Sequence, residues 1–205
     1  MTLNIWNNNT TAEKIDKIWE SDSEQNHRAH IAKTINKYLP ENITLLDAGC
    51  GSGEVYKHLK PYLDAKNCDY FGIDGSVPFI DICRKRYCND FQNTPSDNWI
   101  DQQKIRFELQ NLFGTIFSDK TFDFTICIDV IQHVAYYEAI LKELFRITKK
   151  KLLFRTWVSN DPDKIVFDDD VNNNIYNEEA LINYCKLISA GRVERLEKGL
   201  YVISK

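Results

Sequence analysis

Two carboxylates and three alternating glycines carry the first chemical signal in this chain. The stretch Leu45-Leu46-Asp47-Ala48-Gly49-Cys50-Gly51-Ser52-Gly53-Glu54-Val55 puts an acid at the end of a short apolar run. Three glycines at alternate positions follow, and then a helical pattern begins. Glycines at such a strand-to-helix turn permit positive φ and let a ligand sit against bare main chain. The start of the helix adds unpaired N–H donors and a partial positive charge. The spacing is G-x-G-x-G, which departs from the G-x-G-x-x-G of dinucleotide sites, and no Gly-Lys-Ser/Thr follows to make a phosphate loop. An acid ahead of the glycines suits a ligand that carries a cationic amine, with Asp47 placed to accept from it.

A second apolar run, Tyr70-Phe71-Gly72-Ile73-Asp74-Gly75-Ser76, also ends in an acid. An acid closing the second strand, some 20 residues or more beyond a glycine loop, holds a ribose through its vicinal hydroxyls. Asp74 is that acid here, and Gly75 and Ser76 complete the same turn.

Ligands of an open α/β sheet bind at the carboxyl ends of its strands, so the other polar residues at strand ends are candidates too. One such end reads Leu109-Gln110-Asn111-Leu112, another Ile128-Asp129-Val130-Ile131-Gln132-His133-Val134, and a third Arg155-Thr156-Trp157. An imidazole can take a proton from a hydroxyl, which makes His133 a candidate base. Three roles stay open for it: catalytic base, acceptor positioning, or a packed structural histidine. Arg155 can hold a carboxylate or phosphate bidentately, or serve in an ion pair at the sheet edge. The run Asp168-Asp169-Asp170 reads as a solvated loop, with attraction of a cationic acceptor as the alternative.

These residues need strands and helices in alternation to position them. Residues 1–40 read as helices after an Asn-rich start, with Pro40 as the stop. Strands are expected over about 43–47, 69–74, 105–109, 122–129 and 152–157. Helices fall between them, the first ending near Lys60 ahead of Pro61 and the second capped by Ser76 with Pro78 in its first turn. Residues 88–101 and 158–176 read as loops, the latter irregular and acidic. A helix over about 178–188 precedes two closing strands that turn at Lys198-Gly199. Strand-helix alternation implies a doubly wound, mainly parallel α/β sheet, here closed by an antiparallel hairpin and preceded by a helical cap.

The whole 205 residues suit a single domain with one sizeable core. Hydrophobic content of 43% and aromatic content of 12% indicate an ordered globular chain. A net charge of −4 gives no general attraction to nucleic acid. No apolar run is long enough to span a bilayer, and the N-terminus lacks the pattern of a secretory leader. The six cysteines show neither C-x-x-C nor zinc spacing, and Cys50, Cys83 and Cys127, in elements that read as buried, are expected to be small apolar fillers in a reducing cytoplasm.

At this point the chain resembles the class I S-adenosylmethionine-dependent methyltransferases. Asp47 to Gly53 matches the family's first motif, acid-x-Gly-x-Gly-x-Gly, in full, and Asp74 stands as its ribose acid. The resemblance implies seven strands and S-adenosyl-L-methionine as cofactor, with S-adenosyl-L-homocysteine as product. It implies that Asn111, where the family usually has an acid, meets the adenine amine and that the next N–H, of Leu112, meets a ring nitrogen. It implies that the backbone around Ile128 and Asp129 meets the methionine part and that His133 lies beside the acceptor. Helices before the first strand often cover the cofactor in this family, which makes Trp6, Trp19, His27 and Arg28 lid and substrate candidates alongside Arg155 and Trp157.

Two mismatches narrow the acceptor. Asp129-Val130-Ile131-Gln132 is not the Asp/Asn-Pro-Pro-aromatic motif of nucleobase amino-methyltransferases. Arg155-Thr156-Trp157 lacks the second carboxylate of a catechol-type magnesium site, so no metal is expected. The expectation is a cytoplasmic enzyme that methylates an oxygen of a small polar metabolite, such as a sugar or a phosphorylated precursor. An amine acceptor is the alternative. A non-catalytic cofactor-binding partner and an aminopropyl transferase are more distant ones.

Overall fold

The computed structural model describes residues 5–88, 104–168 and 171–205. Before the sheet come a single 3-10 turn, Ile5–Asn7, and two helices, α1 (Asn9–Trp19) and α2 (Asp22–Tyr38). Asn8 caps α1 by accepting from Thr11 N. Leu39, the residue before Pro40, is extended (φ −80°, ψ 113°), so α2 stops where a following proline forbids helix.

The sheet strands that follow are β1 (Thr44–Ala48), β2 (Asp69–Asp74), β3 (Ile105–Leu109), β4 (Phe122–Ile128) and β5 (Thr148–Arg155). Between them run α3 (Glu54–Ala65), α4 (Val77–Tyr87) and α5 (Tyr137–Ile147). Three further strands, β6 (Val158–Ser159), β7 (Lys164–Asp168) and β8 (Val171–Asn177), precede α6 (Glu178–Ile188), β9 (Val193–Glu197) and β10 (Leu200–Ser204). The main sheet has seven strands in the order β3-β2-β1-β4-β5-β10-β9. β2 pairs β3 and β4 pairs β5 in parallel, while β10 is antiparallel to both β5 and β9. This is the mainly parallel α/β sheet with a closing antiparallel hairpin expected from the alternation, with the seven strands that the resemblance implies. Among the described residues, no helix is long and apolar enough to cross a membrane.

Contacts gather the chain into two compact units, Met1–Leu46 with Cys50–Gln110, and Asp47–Gly49 with Asn111–Lys205. The first is cored by Leu45, Leu46, Leu59 and Ile73 and by an aromatic cluster in which Tyr56 meets Tyr70 at 4.5 Å and Tyr87 at 4.9 Å. The second buries Phe124, Ile126, Leu144, Leu153 and Tyr201, with Phe154 stacked on Tyr201 at 5.2 Å. In that unit Arg146 bonds Glu143, Asp119 and the Phe117 carbonyl, fixing the approach to β4 against α5.

Four expectations change. Pro61 does not end its helix: α3 continues to Ala65. Leu59 and Leu63 are both buried on its inner face, and that packing outweighs the one backbone bond a proline removes. β5 begins at Thr148, directly at the end of α5, because the Thr148 hydroxyl closes that helix on the Leu144 carbonyl at 2.6 Å; it ends at Arg155, so Thr156 and Trp157 lie beyond it. β4 likewise ends at Ile128, one residue before Asp129. Residues 158–168 and 171–176 are not irregular: β6, β8 and β7 form a three-stranded sheet in that order. β7 pairs β8 antiparallel and β6 pairs β8 parallel, a register that overrides the poor strand propensity of the asparagines in β8. Most of the loop expected over 88–101, and Asp169 and Asp170 of the acidic run, lie outside the described residues; Asp168 ends β7.

Candidate functional site

The turn after β1 adopts the conformation its glycines permit. Gly49, Gly51 and Gly53 have φ of 81°, 53° and 84°. A Cβ on Gly49 would lie 2.3 Å from Cγ2 of Val130, and one on Gly51 would lie 2.9 Å from the Trp19 ring. At both positions only glycine satisfies the dihedral and the close approach together.

In the first unit, Asp74 is tied to this loop. Its Oδ2 accepts from Gly51 N at 2.9 Å and its Oδ1 from Ser76 N at 2.8 Å. Burial pushes the Asp74 carboxyl pKa up, and the backbone donors of Gly51, Ser76 and Gly75 pull against that rise. The Cys83 thiol donates to the Gly51 carbonyl at 3.1 Å and Gly53 N to the Cys50 carbonyl at 2.9 Å, so the loop is held from both sides. The Ser52 hydroxyl is completely buried and has no hydrogen-bond partner.

The N-terminal helices lie against the same loop. Trp19 stacks on Phe79 of α4 at 5.3 Å, and Trp6 is tilted on Phe79 at 6.2 Å. Ser76 caps α4 by accepting from Phe79 N and donates its hydroxyl to the Trp6 carbonyl. Arg28 is buried, ion-paired with Glu24, and stands over the Trp19 ring at 5.2 Å. His27, half-buried on α2, is not placed in that cluster by any of these contacts. Beneath Trp19, the buried Glu54 carboxylate at the first residue of α3 accepts from Gln25 at 2.6 Å and Arg86 at 3.2 Å. Gln25 also donates to the Trp19 carbonyl at 2.7 Å, and Arg86 reaches Asp16 of α1.

In the second unit, Asp47 is buried at the end of β1, and Gly49 packs on Val130. Asp129 has φ of 57°, an αL conformation unusual for a side chain beyond glycine. Its carboxylate is ion-paired with Arg155, whose register partner is the preceding residue Ile128, and its N–H donates to the Arg155 carbonyl at 3.1 Å. This ion pair lies inside the seven-stranded sheet and not at its edge. Ile128 is buried. His133 closes a 3-10 turn, Ile131–His133, with its N–H on the Val130 carbonyl at 3.0 Å. Asn111 is exposed, and its side-chain oxygen accepts from Phe113 N at 3.0 Å while Leu112 beside it is buried. Trp157 is half-exposed beyond the end of β5.

The donor set fits an adenosyl sulfonium ligand. A carboxylate has about four acceptor sites, so Asp74, with the backbone donors of Gly51, Ser76 and Gly75 on it, retains capacity for a ribose hydroxyl. The partnerless Ser52 hydroxyl is a buried polar group that a ligand would satisfy. Residues 23–192 match the methyltransferase domain family.

The chain belongs to the class I S-adenosylmethionine-dependent methyltransferases.

This methyltransferase shares its fold with solved structures of low sequence identity. One is a SAM-dependent methyltransferase from Aquifex aeolicus, at TM-score 0.65 and 18% identity over 96% of this chain and 97% of that one. Another is magnesium protoporphyrin IX methyltransferase from Synechocystis PCC 6803 with bound SAH, at TM-score 0.68 and 14% identity over 98% and 95%. A curated relative, (S)-tetrahydroprotoberberine N-methyltransferase from Eschscholzia californica, is 25% identical over 167 residues, 77% of this chain. The methyltransferase spans only 39% of that relative's length.

Several residues beside the loop carry no motif of their own. Val130 sits inside a longer strand-end motif, yet its side chain closes on Gly49. Arg86 and Asp16 carry no local signal, because they meet from 70 residues apart. Glu54 did carry one, an acid at the first residue of a helix behind a glycine loop.

Proposed function

We propose that the chain transfers a methyl group from S-adenosyl-L-methionine to an oxygen of a small polar metabolite. The observation that carries the cofactor half is the Gly51 amide held 2.9 Å from the Asp74 carboxylate in a loop of three positive-φ glycines. When bound, the sulfonium supplies an already electrophilic methyl, so the protein's work is alignment and exclusion of water. Asp74 accepts from a ribose hydroxyl, and Asp47 from the amine of the methionine part. Asn111 and the Leu112 amide face the adenine, and the main chain at Ile128 and Asp129 orients the methionine end. Gly75 and Ser76 set the turn that aims Asp74. Trp6 and Trp19 close over the loop, with Arg28 holding the Trp19 ring. His133 takes the proton from the acceptor hydroxyl as the new bond forms. Arg155 acts through Asp129, and Trp157 and His27 remain acceptor-side candidates.

Calorimetry with S-adenosylhomocysteine tests the cofactor half. Wild type should bind, and Asp74→Ala should bind about 10- to 100-fold more weakly, equivalent to roughly 1.4–2.7 kcal/mol. Absence of heat with wild type, or unchanged affinity in the variant, overturns the assignment. Labelled-methyl incorporation into metabolite extracts then identifies the acceptor. A second reading, transfer to an amine nitrogen, is favoured by the relative that is an N-methyltransferase. Mass spectrometry of the labelled product separates the two.

A further inference from the structure

The turn that carries His133 is short and weakly supported by its own bonds. Within it, His133 N bonds Val130 O at 3.0 Å and Val134 N bonds Ile131 O at 3.2 Å. A three-residue 3-10 turn has poor hydrogen-bond geometry and little rigidity of its own. The Val134 carbonyl finds its partners on β8, and the Ile131 carbonyl takes a second donor from the same strand. The Tyr176 hydroxyl donates to Ile131 O at 2.7 Å and also contacts Val134 O. Asn174 Nδ2 donates to Val134 O at 2.6 Å and to the Tyr176 hydroxyl at 3.2 Å. Because a carbonyl must be faced by N–H, the Asn174 amide has one orientation. That orientation leaves its Oδ1 buried without a partner.

Both side chains are 3% exposed and stand on the central strand of the three-stranded sheet. The Tyr176 ring is fixed edge-on against Tyr137 at 4.7 Å, and its N–H bonds the Trp157 carbonyl at 3.0 Å. Burial pushes the Tyr176 hydroxyl pKa up to about 12, so it stays a donor across the physiological range. An asparagine-rich strand with an orphan amide oxygen breaks two local rules, and such breaks concentrate where a site needs them.

We propose that Asn174 and Tyr176 are positioning residues, through which the β6–β8–β7 sheet sets the His133 imidazole for the acceptor. The proposal rests on the reading of His133 as the acceptor-side residue. Its test therefore reads the imidazole directly and needs no acceptor. The probe is the Cε1–H resonance of each of the four histidines in the full chain, with His133 assigned by loss of its signal in His133→Gln. Tyr176→Phe keeps the ring packing and removes only the hydroxyl. Asn174→Leu removes the donors and the orphan oxygen together, so loss of stability is not its expected effect. In both variants the His133 resonance should move and broaden while His27, His30 and His58 hold. S-adenosylhomocysteine affinity should stay within about twofold of wild type. An unmoved His133 resonance in both variants overturns the proposal. So does a common shift of all four histidines, or a loss of S-adenosylhomocysteine affinity beyond that range. Absence of S-adenosylhomocysteine binding by wild type would instead sink the cofactor assignment, and His133→Gln with full transferase turnover would sink the acceptor role of His133.

Discussion

Replacing Gly49 by Ala places a methyl 2.3, 2.9 and 3.1 Å from the Cγ2, Cγ1 and Cβ atoms of Val130. All three atoms belong to one branched side chain, so a rotation of χ1 exchanges one clash for another and the backbone has to move. The φ of 81° adds strain of roughly 1–2 kcal/mol for a residue with a Cβ. Overpacking of this kind costs about 1–3 kcal/mol. Gly49→Ala should therefore lose about 2–5 kcal/mol in urea unfolding, and S-adenosylhomocysteine binding should weaken by more than about tenfold as the loop moves. Val130→Ala separates the two contributions. On that background Gly49→Ala should cost only the dihedral strain, leaving a coupling energy of about 1–3 kcal/mol in the double-mutant cycle. A single-variant loss under about 1 kcal/mol, or additive effects in the cycle, would refute the account of this glycine.

Arg86→Met should destabilise the fold by about 2–4 kcal/mol in denaturant melts, because it strands the poorly hydrated carboxylates of Asp16 and Glu54. Stability equal to wild type would show that Gln25 and Lys57 alone suffice for Glu54. The hydrogen bonds from Arg146 lower the Glu143 pKa from 4.5 to about 2, with Thr115 assisting. A carboxyl whose folded pKa is depressed adds stability above its unfolded pKa and loses it as pH falls through the folded one. The window is therefore about pH 4.5 down to 2, and the ceiling is about 3 kcal/mol, reduced to about 1–2 by the exposure of Arg146. Glu143→Gln should flatten stability across that window in acid titrations followed by circular dichroism; an unchanged slope would contradict the assignment.

Features set by neighbours within a few residues were legible from sequence. Asp47 to Gly53 dictates a strand, a left-handed turn and a helix start, because the chain can make that reversal only through residues free of a Cβ. Ser76 with Pro78, and Pro40 after Leu39, fixed the ends of their helices through bonds and clashes that span four residues or fewer. The order of strands and helices followed from apolar periodicity, and with it the fold class.

Tertiary structure decided whatever needed partners distant in sequence. Pro61 stays inside α3 because Leu59 and Leu63 are held by the core, which no local rule can register. Arg155 is committed to Asp129 because the β4–β5 register sets their strand ends side by side. Trp19 reaches Gly51 only once α1 packs on α4 through Phe79. The asparagines of β8 look like loop until their strand is paired on both edges and Asn174 and Tyr176 meet the carbonyls around His133. The cofactor motif is a short-range object built from backbone dihedrals and could be read directly. The support of the His133 turn is built from side chains brought together over 40 residues or more, and only folding assembles it.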